Sequence, residues 1–231
     1  MLEFCDIHVI QGDFHLTADF AVLAGRRVAV IGPSGSGKST LLSLVSGFLR
    51  PDRGQIRWEG RDLAPLSPGQ RPVSVLFQDQ NLFPHLSVAQ NIGLGLRPDL
   101  RLSSDQRDQV THALARVGLA DMGDRRPAQL SGGQQSRVAL ARVLLRARPI
   151  LLLDEPFSAL GPALKDEMLD LLAEITGQTG ATVLMVTHDP DDARRFAPDT
   201  IVIHDGRADP PTATGPLLDN PPPGLRAYLG G

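Results

Sequence analysis

Arg27-Val28-Ala29-Val30-Ile31-Gly32-Pro33-Ser34-Gly35-Ser36-Gly37-Lys38-Ser39-Thr40 is the stretch around which the rest of the chain can be placed. Its first five residues form a short apolar run, as expected of a buried strand, and the run breaks into a turn at Gly32. From Ser39 to Leu49 the pattern becomes helical. The junction has the spacing GxxxxGK[ST], a phosphate-binding loop set between strand and helix. Its glycines let successive backbone N–H groups converge on phosphate oxygens, and the helix N-terminus adds a positive dipole end. Gly32, Pro33, Ser34, Gly35, Ser36, Gly37, Lys38, Ser39 and Thr40 are therefore the candidate nucleotide-binding residues. Lys38 is expected to reach the β- and γ-phosphates, and the Ser39 hydroxyl to ligate Mg²⁺.

Working outward, similar strand-like runs recur at Val73–Phe77, Ile150–Leu153, Thr182–Val186 and Thr200–Ile203. Helical patterns lie between them at Ser131–Ala147 and Pro162–Thr176. A further amphipathic helix, with Val110, Ala113, Leu114 and Val117 on one face, begins near Ser103 or Ser104. This alternation predicts an α/β fold, a P-loop NTPase core with a parallel sheet. The first 25 residues and Gln55–Glu59 have strand character without an intervening helix, which places them in an N-terminal antiparallel subdomain at the edge of the core. Residues 78 to 145 are mostly helical and interrupt the alternation, as an inserted helical subdomain would. From Pro210 the chain is too proline-rich for a continuous fold of its own.

Two further motifs carry chemistry. Ile150-Leu151-Leu152-Leu153-Asp154-Glu155 delivers two carboxylates to the C-terminal edge of a strand, where α/β sheets bind ligands. Asp154 is placed to hold Mg²⁺ through water, and Glu155 to polarise an attacking water. Leu130-Ser131-Gly132-Gly133-Gln134 opens a helix with a second anion-binding N-terminus. Two phosphate sites beside a single carboxylate pair suggest a head-to-tail homodimer or pseudo-dimer. In it, Ser131, Gly132, Gly133 and Gln134 of one chain would complete the other chain's nucleotide site in trans.

Gly32 to Thr40, Gln78, Leu130 to Gln134, Leu151 to Glu155 and His188 occur in the order and spacing of the ATP-binding subunits of ABC transporters, which the chain resembles from residue 1 to about 207. The resemblance implies an ATPase domain over 1–207, with the helical insert, and a short tail over 208–231. It implies that Gln78 contacts Mg²⁺ and the attacking water, and that His188 contacts the γ-phosphate. Without the family, His188 in Thr187-His188-Asp189 reads equally well as a loop histidine. ATP and Mg²⁺ are the implied substrate and cofactor. The implied partners are a second copy of the chain, a membrane permease and, indirectly, a periplasmic substrate-binding protein. The implied location is peripheral, on the cytoplasmic face of a bacterial inner membrane. Within the family, Arg71–Gln78 and Asn81–Leu96 are most similar to the ATPase subunits of importers of thiamine and thiamine pyrophosphate. Importers of molybdate, iron or polyamines share parts of the second segment.

Two positions depart from the family pattern. Members usually place an aromatic residue for adenine about two dozen residues before the phosphate loop, where this chain has Gln11, with Phe14 and His15 nearby. Gly161 stands where an aspartate normally ends Ser-Ala-Leu-Asp.

Composition excludes other classes. With 23 Lys+Arg against 26 Asp+Glu the net charge is −3, and no basic field exists for sequence-independent nucleic-acid binding. A single cysteine, Cys5, excludes an intramolecular disulfide and suits a reducing compartment. No basic and apolar leader is visible at Met1–Phe4, and no apolar run approaches the ~18 residues of a membrane span. The expected protein is cytosolic and reaches a membrane only through a partner. His8, His15, His85, His112 and His204 lack the spacing of a zinc site, and Trp58 reads as packing. Phe77, Leu82, Phe83, Leu86 and Val88 read either as core or as a groove for a permease helix.

Overall fold

The computed structural model describes residues 1–77, 79, 81–222 and 225–226. Gln78 and Tyr228 lie outside the described residues. The strands are β1 (Leu2–Gln11), β2 (Phe14–Val22), β3 (Arg27–Ile31), β4 (Arg53–Trp58), β5 (Arg61–Asp62), β6 (Val73–Leu76), β7 (Ile150–Asp154), β8 (Thr182–Val186), β9 (Asp199–His204), β10 (Arg207–Ala208) and β11 (Thr212–Ala213). The helices are α1 (Lys38–Ser46), α2 (Val88–Gly93), α3 (Ser104–Arg116), α4 (Gly132–Leu145), α5 (Pro162–Thr179), α6 (Pro190–Phe196) and α7 (Thr214–Asp219). Single 3₁₀ turns at Ala120–Met122 and Pro127–Gln129 join α3 to α4.

β9, β3, β8, β7 and β6 lie side by side and parallel, as the alternation predicts. β3, β7 and β8 are buried on both faces, which explains why their sequences are continuous apolar runs rather than alternating ones. β1, β2, β4 and β5 form the antiparallel part, where burial alternates through Leu2, Phe4, Ile7 and Val9. The two parts are continuous: β10 runs parallel to β2 and antiparallel to β9, so a single sheet carries both.

Three apolar clusters follow. One lies between the antiparallel strands, α1 and one face of the parallel sheet, and includes Trp58. The second packs α4, α5 and α6 on the other face. The third belongs to the helical part and joins Val88, Ile92, Val110, Leu114 and Leu130 to Val138 of α4. The helical segment begins at Val88, after a loop.

Several sequence expectations shift at their ends. α1 stops at Ser46 because Gly47 takes a left-handed conformation at φ 86° and returns its amide to the Ser43 carbonyl, so the helix does not reach Leu49. The described part of the proline-rich tail is docked, with β11 pairing with β9 and α7 following it, and Leu218 and Leu225 enter the second cluster. Of the apolar group after β6, Val88 is core, Leu82 and Leu86 are half-buried, and Phe77 and Phe83 are 40% and 46% exposed. No helix among the described residues is long and apolar enough to cross a membrane.

Candidate active site

The phosphate loop leaves β3 at Gly32, whose φ is 155°. A Cβ there would stand 2.2 Å from the Ile203 carbonyl oxygen, so β9 leaves room for glycine alone. Lys38 Nζ donates to the carbonyls of Gly32 and Pro33, each at 2.8 Å, and so curls back over the loop. Burial pulls its pKa down, against the opposing pull of Glu155 and Asp154. The Ser36 hydroxyl is buried within the loop without a hydrogen-bond partner among the described residues. A buried hydroxyl without a partner at a helix N-terminus suits an incoming phosphate oxygen. Behind the loop, Arg71 is buried and donates to the carbonyls of Leu44 (2.7 Å) and Val45 (2.9 Å), capping the C-terminal end of α1.

β7 lies between β8 and β6 and brings Asp154 to the same sheet edge. The Ser39 hydroxyl is close enough to favour the charged form of the Asp154 carboxylate. Burial raises its pKa, and Glu155 adds repulsion that Ser39 and Lys38 only partly offset. Ser39 and Asp154 together offer two hard oxygen donors, which suits Mg²⁺ with waters filling the remaining positions. Glu155 follows in a left-handed conformation at φ 44°, which costs a non-glycine residue about 1–2 kcal/mol. Its amide donates to Val186 O at 3.1 Å, tying the turn to β8. His188 Nδ1 lies 3.2 Å from Glu155 Oε2. Gly32 to Thr40, Asp154, Glu155 and His188 thus converge at one end of β3, β7 and β8.

Ser131 to Gln134 lie elsewhere in the chain's own fold. Ser131 caps α4, its hydroxyl accepting from the Gln134 amide at 3.3 Å while Gln134 Oε1 accepts from the Ser131 amide at 2.9 Å. No hydrogen bond among the described residues joins this group to the phosphate loop. Ser131 and Gly132 are exposed, whereas Gly133 is buried against α5, where a Cβ would meet Leu164 Cδ2 at 2.2 Å. Packing alone therefore accounts for glycine at 133. Of the aromatic candidates, Phe14 is half-buried and leans on the loop: its Cζ lies 2.9 Å from where a Gly37 Cβ would be. Gln11 is exposed, opposite Phe14 in the β1–β2 pairing.

The ABC transporter family model matches residues 17–158, more than half of the chain. The chain belongs to the ABC transporter family. It is 64% identical over 230 residues, the whole of both chains, to the thiamine import ATP-binding protein ThiQ of Cereibacter sphaeroides. It is 58% identical over the same span to the ThiQ of Ruegeria sp. (strain TM1040). Among solved structures it superposes on the dimeric bacterial ABC transporter cassette MJ0796 with a TM-score of 0.79 at 29% identity, covering 93% of this chain and 99% of that one. The post-hydrolysis dimer of MJ0796 bound to ADP and Pi gives 0.78.

This ABC cassette also holds polar groups at the site that motif reading misses. Lys165 pairs with Asp192 at 2.7 Å and with Asp189, and the Thr187 hydroxyl donates to Asp192 at 2.8 Å. Asp189 before Pro190 is a legible helix start directly after His188. The lysine has no local signal, since its partners lie 24 and more residues away.

Proposed function

We propose that this chain is the ATP-hydrolysing subunit of a thiamine importer and acts as an ATP-dependent head-to-tail dimer beneath a membrane permease. The observation that carries the reading is the convergence of the Lys38 loop, the Ser39–Asp154 pair and the Glu155–His188 contact at one sheet edge. Lys38, released from the Gly32 and Pro33 carbonyls, would bind the β- and γ-phosphates, and the Ser36 hydroxyl would find its partner there. Ser39 and Asp154 would hold Mg²⁺, which when bound neutralises charge on the phosphates. Glu155 orients the water and takes up its proton at the carboxylate, and His188 braces the γ-phosphate, its imidazole held toward Glu155. Gln78 completes this group on the resemblance alone. The exposed Ser131 and Gly132 at the start of α4, with Gln134 beside them, would close the partner's site and exclude water.

Thiamine as cargo rests on the identity to ThiQ proteins over the full chain. Permease docking is supported by a cleft of about 330 Å³ whose mostly apolar lining includes Phe48, Val73, Val75 and Phe77, with Ser46 and Arg146 also on its wall and Phe48 and Phe77 exposed. A periplasmic thiamine-binding protein would deliver the cargo from the other side of the membrane, leaving this subunit peripheral on the cytoplasmic face.

The test is Glu155→Gln. Removing the charge leaves the nucleotide contacts in place and halts water activation, so the variant is expected to elute as a dimer with Mg·ATP and as a monomer without it. Cells relying on it should lose at least about 90% of labelled thiamine uptake, as loss of a general base lowers turnover on the order of 10²–10⁴-fold. A variant that binds ATP yet stays monomeric overturns the dimer. Wild-type uptake of another solute in place of thiamine overturns the cargo.

A further inference from the structure

His188 sits in the short link Thr187–Asp189 between β8 and α6, and its neighbours are held more firmly than its ring is covered. The His188 side chain is 60% exposed, whereas Thr187 is 4% exposed. The Thr187 amide donates to Val30 O at 3.2 Å, continuing the β8–β3 pairing. Its hydroxyl donates to Asp192 Oδ2 at 2.8 Å and accepts from the Asp189 amide at 3.1 Å. Asp189 in turn caps α6, accepting from the Asp191 amide at 3.0 Å. Two of the segment's three carboxylates, Asp189 and Asp192, meet one ammonium, that of Lys165.

Lys165 lies in the first turn of α5, and its amide donates to Gly161 O at 3.0 Å. The same residue therefore touches the Ser158–Gly161 turn through its backbone and the His188 link through its side chain. Lys165 and Asp192 are 18% and 14% exposed, so the pairing is shielded from bulk water far more than a surface ion pair. Burial would raise the Asp189 carboxyl, yet the Lys165 hydrogen bond and the Asp191 amide hold it below its ordinary value. Without the ammonium, two close carboxylates would face each other, and the segment would have to move to relieve them.

We propose that Lys165 is a positioning residue for hydrolysis: it bolts the Thr187–Asp192 segment to the first turn of α5, holds His188 at Glu155, and carries movement of the Ser158–Gly161 turn to that histidine. The inference rests on the role given above to His188.

The experiment is steady-state ATP hydrolysis by the full chain assembled with its permease. Lys165→Met is expected to lower kcat about tenfold or more and leave KM for ATP within about twofold, the pattern of an interaction felt in the transition state rather than in substrate binding. Lys165→Arg, which keeps the charge and can bridge both carboxylates, should restore kcat to within about threefold. Lys165→Met added to His188→Ala should slow turnover no further, because the lysine acts through the histidine. If Lys165→Met does not fold, Asp192→Asn should show the same kcat loss at unchanged KM. The proposal is overturned by a lower melting temperature at wild-type kcat, by additive losses in the double variant, or by Lys165→Arg behaving like Lys165→Met. Turnover retained in His188→Ala overturns the role of His188 itself. Turnover lost in His188→Ala but kept in Lys165→Met overturns only the lysine.

Discussion

Asp154 occupies its place against an electrostatic penalty. Burial disfavours its charge and Glu155 beside it adds repulsion, and together they outweigh the Ser39 hydroxyl and the Lys38 ammonium. A carboxyl whose pKa is higher in the folded chain than in the unfolded one binds its proton more tightly when folded. Stability therefore falls as pH rises from the ordinary carboxylate value, about 4, through the raised folded value, and is flat above it. At neutral pH Asp154→Asn removes the penalty while keeping an acceptor for Ser39. The nucleotide-free variant should melt higher than wild type by up to about 2 °C, a small figure because the site is partly screened by solvent. The difference should vanish near pH 4, and hydrolysis should be lost at every pH. Calorimetry at pH 4 and pH 7 checks this, and a lower melting temperature at pH 7 would show that the site carries no such penalty. The carboxylates themselves are legible in the sequence because they follow an apolar strand directly. The sign of the Asp154 shift is not, since it depends on Ser39 and Lys38 arriving from another element.

At the scale of the element, α5 starts poorly capped. Gly161 is its N-cap residue, followed by Pro162, and no side chain among the described residues accepts from the first free amides. The sequence shows that a carboxylate is missing here, but not the backbone angle that decides whether one would be tolerated. The structure gives φ −66° and ψ 157°, ordinary extended values, and a Cβ would meet nothing within 4 Å. Gly161→Asp is therefore free of backbone strain, and its carboxylate can accept from the amides of Ala163 or Leu164 and face the positive end of the helix. Stability should rise by about 0.5–1 kcal/mol, and turnover or its cooperativity in ATP should rise with it, as the turn becomes better ordered before the partner arrives. Denaturant melts paired with ATP titrations check both. A stabilised variant with unchanged rate and Hill coefficient would confine the effect of Gly161 to the helix cap. Elsewhere, helix starts such as Ser87, Ser103 and Ser131 each carry a capping box with glutamine three residues on, a purely local signal. Helix ends are harder to read, as α1 shows: Gly47 stops it while the apolar pattern runs on to Leu49.

Across the whole molecule, the part that local pattern conveys least is how distant pieces close on one another. The parallel strands can be read one by one because each is an apolar run before a turn. That β10 would join the antiparallel strands to β9 cannot, for a two-residue strand has no periodicity. The tail is the clearer case. Its prolines argue against a fold of its own, and that argument concerns local propensity only. Tertiary contacts supply what propensity lacks: β11 adds to β9, and Thr214 donates to Ala197 O at 2.7 Å and pairs with Thr200 at 2.9 Å. Arg194 reaches Asp219 at 2.7 Å, while Leu218 and Leu225 are buried against the α6 side of the sheet. Since that face backs β3 and β8, the tail braces from behind the strands that carry the phosphate loop and His188. Leu218→Ala should then cost about 2–5 kcal/mol of stability, the range for a buried leucine, with the lower part favoured by its position at the edge of the cluster. A chain cut after Pro211 should lose more than the single substitution. Because the site residues themselves are unaltered, the Leu218→Ala protein that remains folded should bind ATP with unchanged affinity at 20 °C. Urea melts beside ATP titrations separate the two effects, and an affinity that weakens while the chain is fully folded would show that the tail reaches the site rather than merely supporting the sheet behind it.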